Sequence, residues 1–265
     1  MTILRSIIRL LVSCAIFASS GVAFASDSPG GLRPVQEVGI FPIFTTKTVA
    51  ESAFVLEPGI ELVREPDIER ISLRAAYGIS RSTDASFSAS ARRSPAGDGA
   101  EDVGIGIRHR FSEEGKFGPS AAFLIAASLP AGKESRGTGS GSVETEAILI
   151  TSKRVGPFTG HLNLGYNVIL SGKSNNELIY GGALDFSAAK RIVLLAEIHG
   201  RSVQGDDILE ASLGYKNYLS DSISNTIGIG WGLGNREPEY RITVLFTLGP
   251  AKEPSQLIHV KDDGL

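Results

Sequence analysis

Long stretches of this chain alternate apolar and polar residues with a period of two. From Phe158 the alternate positions are Phe158, Gly160, Leu162, Leu164, Tyr166, Val168 and Leu170, with Thr159, His161, Asn163, Gly165 and Asn167 between them. The pattern recurs from Leu209 to Lys216, from Ile223 to Leu233 and from Tyr240 to Leu248. Successive side chains of a strand point to opposite faces, so a strand between two different environments reads this way. Marking every such segment predicts about twelve strands, near 50–64, 67–79, 83–93, 101–112, 117–129, 143–154, 157–170, 177–188, 190–200, 206–219, 222–234 and 238–249. Their length is the constraint. Most exceed the roughly 9–11 residues with which a tilted strand crosses a bilayer, whereas soluble strands peak near about 5–6. An even number of long alternating strands predicts an all-β, antiparallel transmembrane β-barrel of the bacterial outer-membrane kind. A soluble sandwich fits less well, because here the polar faces carry small residues and scattered charges on nearly every strand, as a wet lumen does.

The start of the chain reads as an export signal. Arg5 and Arg9 precede a short apolar stretch, and Ala23-Phe24-Ala25 has the small-x-small form of a cleavage site, which places the mature start at Ser26. A lipoprotein reading of Leu11-Val12-Ser13-Cys14 is weaker, since a further apolar stretch follows Cys14. Cleavage after Ala25 removes the chain's single cysteine and shifts the net charge from -3 to -5. Neither a disulfide framework nor a cysteine-ligated zinc site is expected, and a chain this short of cations is not expected to bind nucleic acid. Residues 26–48 hold Pro29, Pro34 and Pro42 and are read as a periplasmic or plug segment. Residues 49–249 are read as the barrel and 250–265 as a polar tail.

The connections support the barrel independently. With a periplasmic N-terminus, joins from even to odd strands should be tight, and Ser80–Thr83, Glu113–Lys116, Gly156-Pro157, Ala188-Ala189 and Ser220–Ser222 are. Outer joins should be looser, as at Ser94–Gly99 and Pro130–Ser142. Tyr77, Phe87, Phe111, Phe117, Phe158, Phe186 and Phe246 all fall near the tight-turn end, where an aromatic girdle belongs.

The segment Glu101-Asp102-Val103-Gly104-Ile105-Gly106-Ile107-Arg108-His109-Arg110-Phe111, then Gly118-Pro119-Ser120-Ala121-Ala122-Phe123-Leu124 and Leu129-Pro130-Ala131-Gly132-Lys133, resembles the central hairpin of the family named for the meta-pathway of phenol degradation. The similarity runs from about Glu51 to Gly249. Ala131 stands where that family usually has threonine, and this chain continues past Gly249. The resemblance implies a Gram-negative outer-membrane barrel that transports small molecules, aromatic ones among them. It carries over no substrate-binding residue.

No enzymatic chemistry is expected. His109, His161, His199 and His259 show no metal-ligand spacing, and no cofactor motif is present. His161-Leu162-Asn163 places two side chains on one face of a strand, the spacing at which barrel phospholipases present His and Ser, but here the second residue is no nucleophile. Gly228, Gly230, Gly232 and Gly234 alternate along a strand without a following helix, so they are read as relief of crowding inside the barrel rather than as a phosphate loop.

Taking apolar residues as lipid-facing, Arg70, Arg74, Arg92, Arg108, Arg110 and Arg241 point inward and are expected to line the lumen. An Arg in the bilayer midplane would cost about 2–4 kcal/mol. Asp185 and Glu210 are expected on the far wall, with Glu197 between them, so that a cationic wall faces an anionic one. The expected partners are outer-membrane lipid and an unspecified small solute. The expected function is a channel or transporter, the alternative being a structural or surface-contact barrel with no conducting pore.

Overall fold

The computed structural model describes residues 43–65, 67–170, 176–203, 206–233 and 238–249. The expected signal peptide (1–25), the stretch 26–42 and the tail 250–265 lie outside them. Thirteen strand segments follow one another: β1 (Phe54–Arg64), β2 (Ile68–Ser80), β3 (Thr83–Ser94), β4 (Gly97–Ala100), β5 (Val103–Ser112), β6 (Ser120–Leu129), β7 (Glu144–Val155), β8 (Phe158–Ile169), β9 (Glu177–Ala189), β10 (Ile192–Val203), β11 (Asp206–Tyr218), β12 (Ile223–Gly232) and β13 (Tyr240–Leu248). Each is antiparallel to its neighbours, and pairing of β1 with both β2 and β13 closes the sheet. Segments β4 and β5 both pair with β3, one above the other, and form a single strand of the ring. The ring is therefore a closed twelve-stranded barrel. Among the described residues the only helical element is one 3₁₀ turn, Glu134–Arg136. No described helix is long and apolar enough to cross a membrane, which bears on helices alone.

Burial follows strand parity around the ring. On β8, His161, Asn163, Gly165 and Asn167 are buried while Leu162, Leu164 and Tyr166 are exposed. On β13, Arg241, Thr243, Leu245 and Thr247 are buried between less buried neighbours. The exposed large residues, Ile107, Ile125, Leu149, Leu162, Leu213 and Ile229 among them, form an apolar belt around the outside. On most strands this is a sheet turned inside out relative to a soluble protein, with polar side chains enclosed and apolar ones outward, although β6, β7 and β10 also enclose apolar side chains. Near the tight-turn end, Phe158 and Phe186 stack with ring centroids 4.9 Å apart.

Two sequence-based boundaries move. The join at Ser94–Gly99 is no loose loop: β3 runs on to Ser94 and pairs back on β4 with Ser94 opposite Gly97, leaving Pro95 and Ala96 as the turn. The first strand starts at Phe54 rather than near residue 50, because residues 43–49 run inside the barrel and Ala50–Ala53 form a turn against Gly78 before the strand begins.

Candidate functional site

The inner face of β13, β1, β2, β3 and β5 carries a ladder of ion pairs. Near the tight-turn end, Arg108 Nη2 donates to Asp84 Oδ2 at 2.6 Å, with both side chains about 3% exposed. One step further in, Arg74 Nη1 donates to Glu57 Oε1 at 2.8 Å, and the Thr247 hydroxyl donates to Glu57 Oε2 at 3.2 Å. Toward the loop end, Arg70 bonds Glu61 and donates from Nε to Glu101 Oε2 at 2.6 Å. Arg92 Nε lies 3.7 Å from the other oxygen of Glu101. Arg241 reaches Glu61 at 3.0 Å and Glu210 at 3.1 Å. Cross-strand register explains the pairing, since Glu57 faces Arg74, Glu61 faces Arg70 and Asp84 faces Arg108.

The eight residues singled out from sequence all sit on inward-facing positions, but not as two opposed walls. Carboxylates from β1, β3 and the Glu101 corner neutralise the arginines where they stand. Glu210 belongs to the same cluster rather than to a far wall: the inner face of β12 is bare at Gly228 and Gly230, so Arg241 of β13 meets Glu210 of β11 across it. Arg110 lies at the rim, where it donates to the Arg81 carbonyl at 3.0 Å and pairs with Glu113 at 2.8 Å. Asp185 bonds His161. Glu197 is inward and 7% exposed.

Beside the ladder the wall changes character. Ala122, Leu124 and Ala126 of β6 and Ile148 and Ile150 of β7 point inward and form one apolar cluster, completed by Phe44, which lies inside the ring but belongs to none of its strands. The lumen is thus ionic on one flank and apolar on the next.

Phe44 belongs to a strap, residues 43–50, that crosses the barrel interior. The Ile43 N–H donates to Glu197 Oε2 of β10 at 3.5 Å. The carboxamide of Asn163 on β8 clamps Phe44 from both sides, accepting from its N–H at 2.7 Å and donating to its carbonyl at 2.9 Å. Arg108 donates to the Thr45 carbonyl at 3.1 Å. The Thr46 N–H donates to Ser152 Oγ at 3.2 Å, and the Thr46 and Ser120 hydroxyls are 2.6 Å apart. The Val49 N–H then donates to Asp84 Oδ2 at 2.8 Å. Side chains of β10, β8, β7, β6, β5 and β3 in turn satisfy an extended segment that has no sheet partner of its own, which is the obligation any buried backbone carries. Two glycines permit its approach. A Cβ on Gly78 would collide with the Ala50 carbonyl, and one on Gly181 with the Ile43 side chain.

At the other end the loop after β6 is also anchored. The buried Asp102 carboxylate accepts from the N–H groups of Ala131, Gly132 and Ser140, at 3.0, 2.8 and 2.7 Å. These bonds hold the Leu129–Lys133 segment of the family-like motif against the mouth of the ring. Outside the wall, a hollow of about 720 Å³ is bounded chiefly by lipid-side residues such as Leu162, Leu184, Ile198, Leu213 and Trp231. Among the described residues no group of three or more His, Cys, Asp or Glu could hold a metal ion.

Sequence reading missed Glu57, Glu61, Asp84, Glu101 and Ser152, and it placed Asn163 beside His161 without its role at the strap. For Ser152 a signal existed: the two-residue turn Gly156-Pro157 fixes the register of β7 on β8 and sets Ser152 opposite His161.

No known protein-family profile matches the chain, and neither does any curated relative. Solved structures do resemble it. The COG4313 outer membrane channel from Pseudomonas putida F1 superposes with a TM-score of 0.59 at 9% identity, over 77% of this chain and 97% of that one. The NanC porin gives 0.56 at 9% identity, over 75% and 99%. The KdgM porin gives 0.54 at 10% identity, over 74% and 98%. The chain has the fold of outer-membrane channel barrels.

Proposed function

We propose that this protein is an outer-membrane channel for small molecules whose passage is narrowed by its own strap. The observation that carries the reading is a hydrogen-bonded segment laid across the inside of a twelve-stranded barrel of the porin type. A barrel with a merely structural role would need no such crossing piece with a separate side-chain partner at nearly every step. The apolar flank beside an ionic flank favours solutes with one polar and one apolar end, and the resemblance of residues 101–133 to the phenol meta-pathway family supports aromatic compounds among them. The tight turns lie on the periplasmic side and the anchored 130–143 loop on the outer side, with outer-membrane lipid around the belt. Conductance of the purified protein in planar bilayers, or solute flux into liposomes, tests the reading. A correctly folded, inserted protein that passes no ion or solute overturns it in favour of a closed structural barrel.

The ladder sets an expected selectivity. Replacing Arg74→Gln removes one positive charge from the lumen and leaves Glu57 hydrogen-bonded by Thr247. Ion selectivity should shift toward cations, measured as a reversal potential in a salt gradient, with insertion unchanged. A parental reversal potential would mean that Arg74 does not face the conducting path.

A further inference from the structure

Three inward side chains on adjacent strands form a Ser–His–Asp relay that transport does not require. Ser152 Oγ and His161 Nδ1 are 2.8 Å apart, and His161 Nε2 and Asp185 Oδ2 are 3.2 Å apart. Ser152 and His161 are direct cross-strand partners. A carboxylate can only accept a hydrogen bond, so in the neutral ring the proton sits on Nε2 and Nδ1 is left as acceptor. Ser152 must then donate its hydroxyl proton to His161. That is the arrangement of an activated nucleophile: a hydroxyl on a base whose tautomer is fixed by a third group.

The surroundings offer an apolar binding surface and hold the nucleophile in place. Ile150 and Ile148 precede Ser152 on the same inner face of β7 and, with Ala122 and Leu124, offer an apolar bed for an acyl or aryl group. Phe44 of the strap lies on that bed. The Thr46 N–H donates to Ser152 Oγ at 3.2 Å, which leaves the Ser152 proton to His161, and the Ser120 hydroxyl donates to the Ser152 carbonyl at 3.0 Å and fixes the backbone of the nucleophile.

We propose that Ser152 is a catalytic nucleophile for hydrolysis of small carboxylic esters entering the lumen, with His161 as its base, Asp185 as the positioning residue, and Phe44 occupying the acyl site until the strap shifts. Ser152 Oγ forms a bond to the ester carbonyl carbon while its proton moves to His161 Nδ1. The bond from that carbon to the alcohol oxygen then breaks, and the same proton passes to the departing alkoxide. Water, deprotonated by His161, hydrolyses the acyl-serine, releasing the carboxylic acid and restoring the Ser152 hydroxyl.

The test uses full-length protein in detergent or liposomes, a fluorophosphonate probe and p-nitrophenyl butyrate. The expected result is covalent labelling at Ser152, located by peptide mass spectrometry, with stronger labelling and ester turnover in Phe44→Gly. Ester turnover should be lost in Ser152→Ala and fall by about 100-fold or more in His161→Gln. Asp185→Asn should lower kcat while leaving KM unchanged. Because the probe reads the parent protein, misfolding of a variant cannot mask the answer. Absence of label from both the parent and a folded Phe44→Gly protein overturns the proposal, as does ester turnover that survives Ser152→Ala. Conductance is measured separately, so loss of this activity leaves the channel reading intact.

Discussion

Deleting residues 26–46 should raise single-channel conductance severalfold. The deletion removes Ile43, Phe44, Thr45 and Thr46, and with them the clamp on Asn163, the Arg108–Thr45 contact and the bond to Ser152. It spares the ring, whose strands begin at Phe54. The rest of the strap, from Lys47 onward, stays beside Asp84 and Gly78 near the wall. What leaves is the chord across the middle. Planar-bilayer recordings on a variant with the parent's gel mobility decide the matter: unchanged conductance would show that the strap does not limit the path.

The largest effect on stability is expected at Asp84. Its carboxylate accepts from Arg108 and from the Val49 N–H, in surroundings where both charged side chains are almost fully enclosed. Replacing Asp84→Ala leaves a buried guanidinium without its counter-charge, a change that costs about 3–5 kcal/mol. Pairing it with Arg108→Met should recover most of that loss, since exchanging a whole buried pair for apolar groups is close to neutral. Urea midpoints of the refolded barrel in detergent micelles would reveal both changes. A single variant with the parent's midpoint would mean that water, not Asp84, solvates Arg108.

How much of this was legible before the structure depends on which interactions are local. Alternation on β8 separates Leu162 from His161 and Asn163 without knowledge of any neighbour, because the two faces of that strand meet different solvents. The first strand is harder. Phe54-Val55-Leu56-Glu57-Pro58-Gly59-Ile60-Glu61 is apolar on both faces apart from its two glutamates, and the significance of Glu57 and Glu61 appears only when β2 brings Arg74 and Arg70 opposite them. Hence the arginines were visible as inward charges, but their neutralisation was not. For the strap, the plug alternative for residues 26–48 was legible, but its partners were hidden for a different reason. Residues 43–50 have too few residues and too little periodicity to declare a partner, and their hydrogen bonds go to side chains far along the sequence, at Asn163, Ser152 and Asp84. The 94–97 turn was missed because a proline followed by two nearby glycines suggests a loop, whereas here Pro95 sits between two paired strands.

The seam where β13 meets β1 has a geometric consequence for the whole ring. Leu245, 2% exposed, faces Gly59, and a Cβ at Gly59 would come within 2.6 Å of its side chain. Sliding β1 by two residues keeps inward and outward faces intact, so parity alone does not forbid it. A slide one way would set Glu61 against Leu245; a slide the other way would set Glu57 there, in either case burying a carboxylate on a leucine. Only the observed alignment gives Leu245 a gap to fill and keeps Glu57 beside Thr247 and Glu61 beside Arg241. Strand stagger and barrel diameter are coupled once the number of strands is fixed. The bore of this barrel is therefore gauged at its closing joint, by one leucine seated in a space the size of a missing side chain.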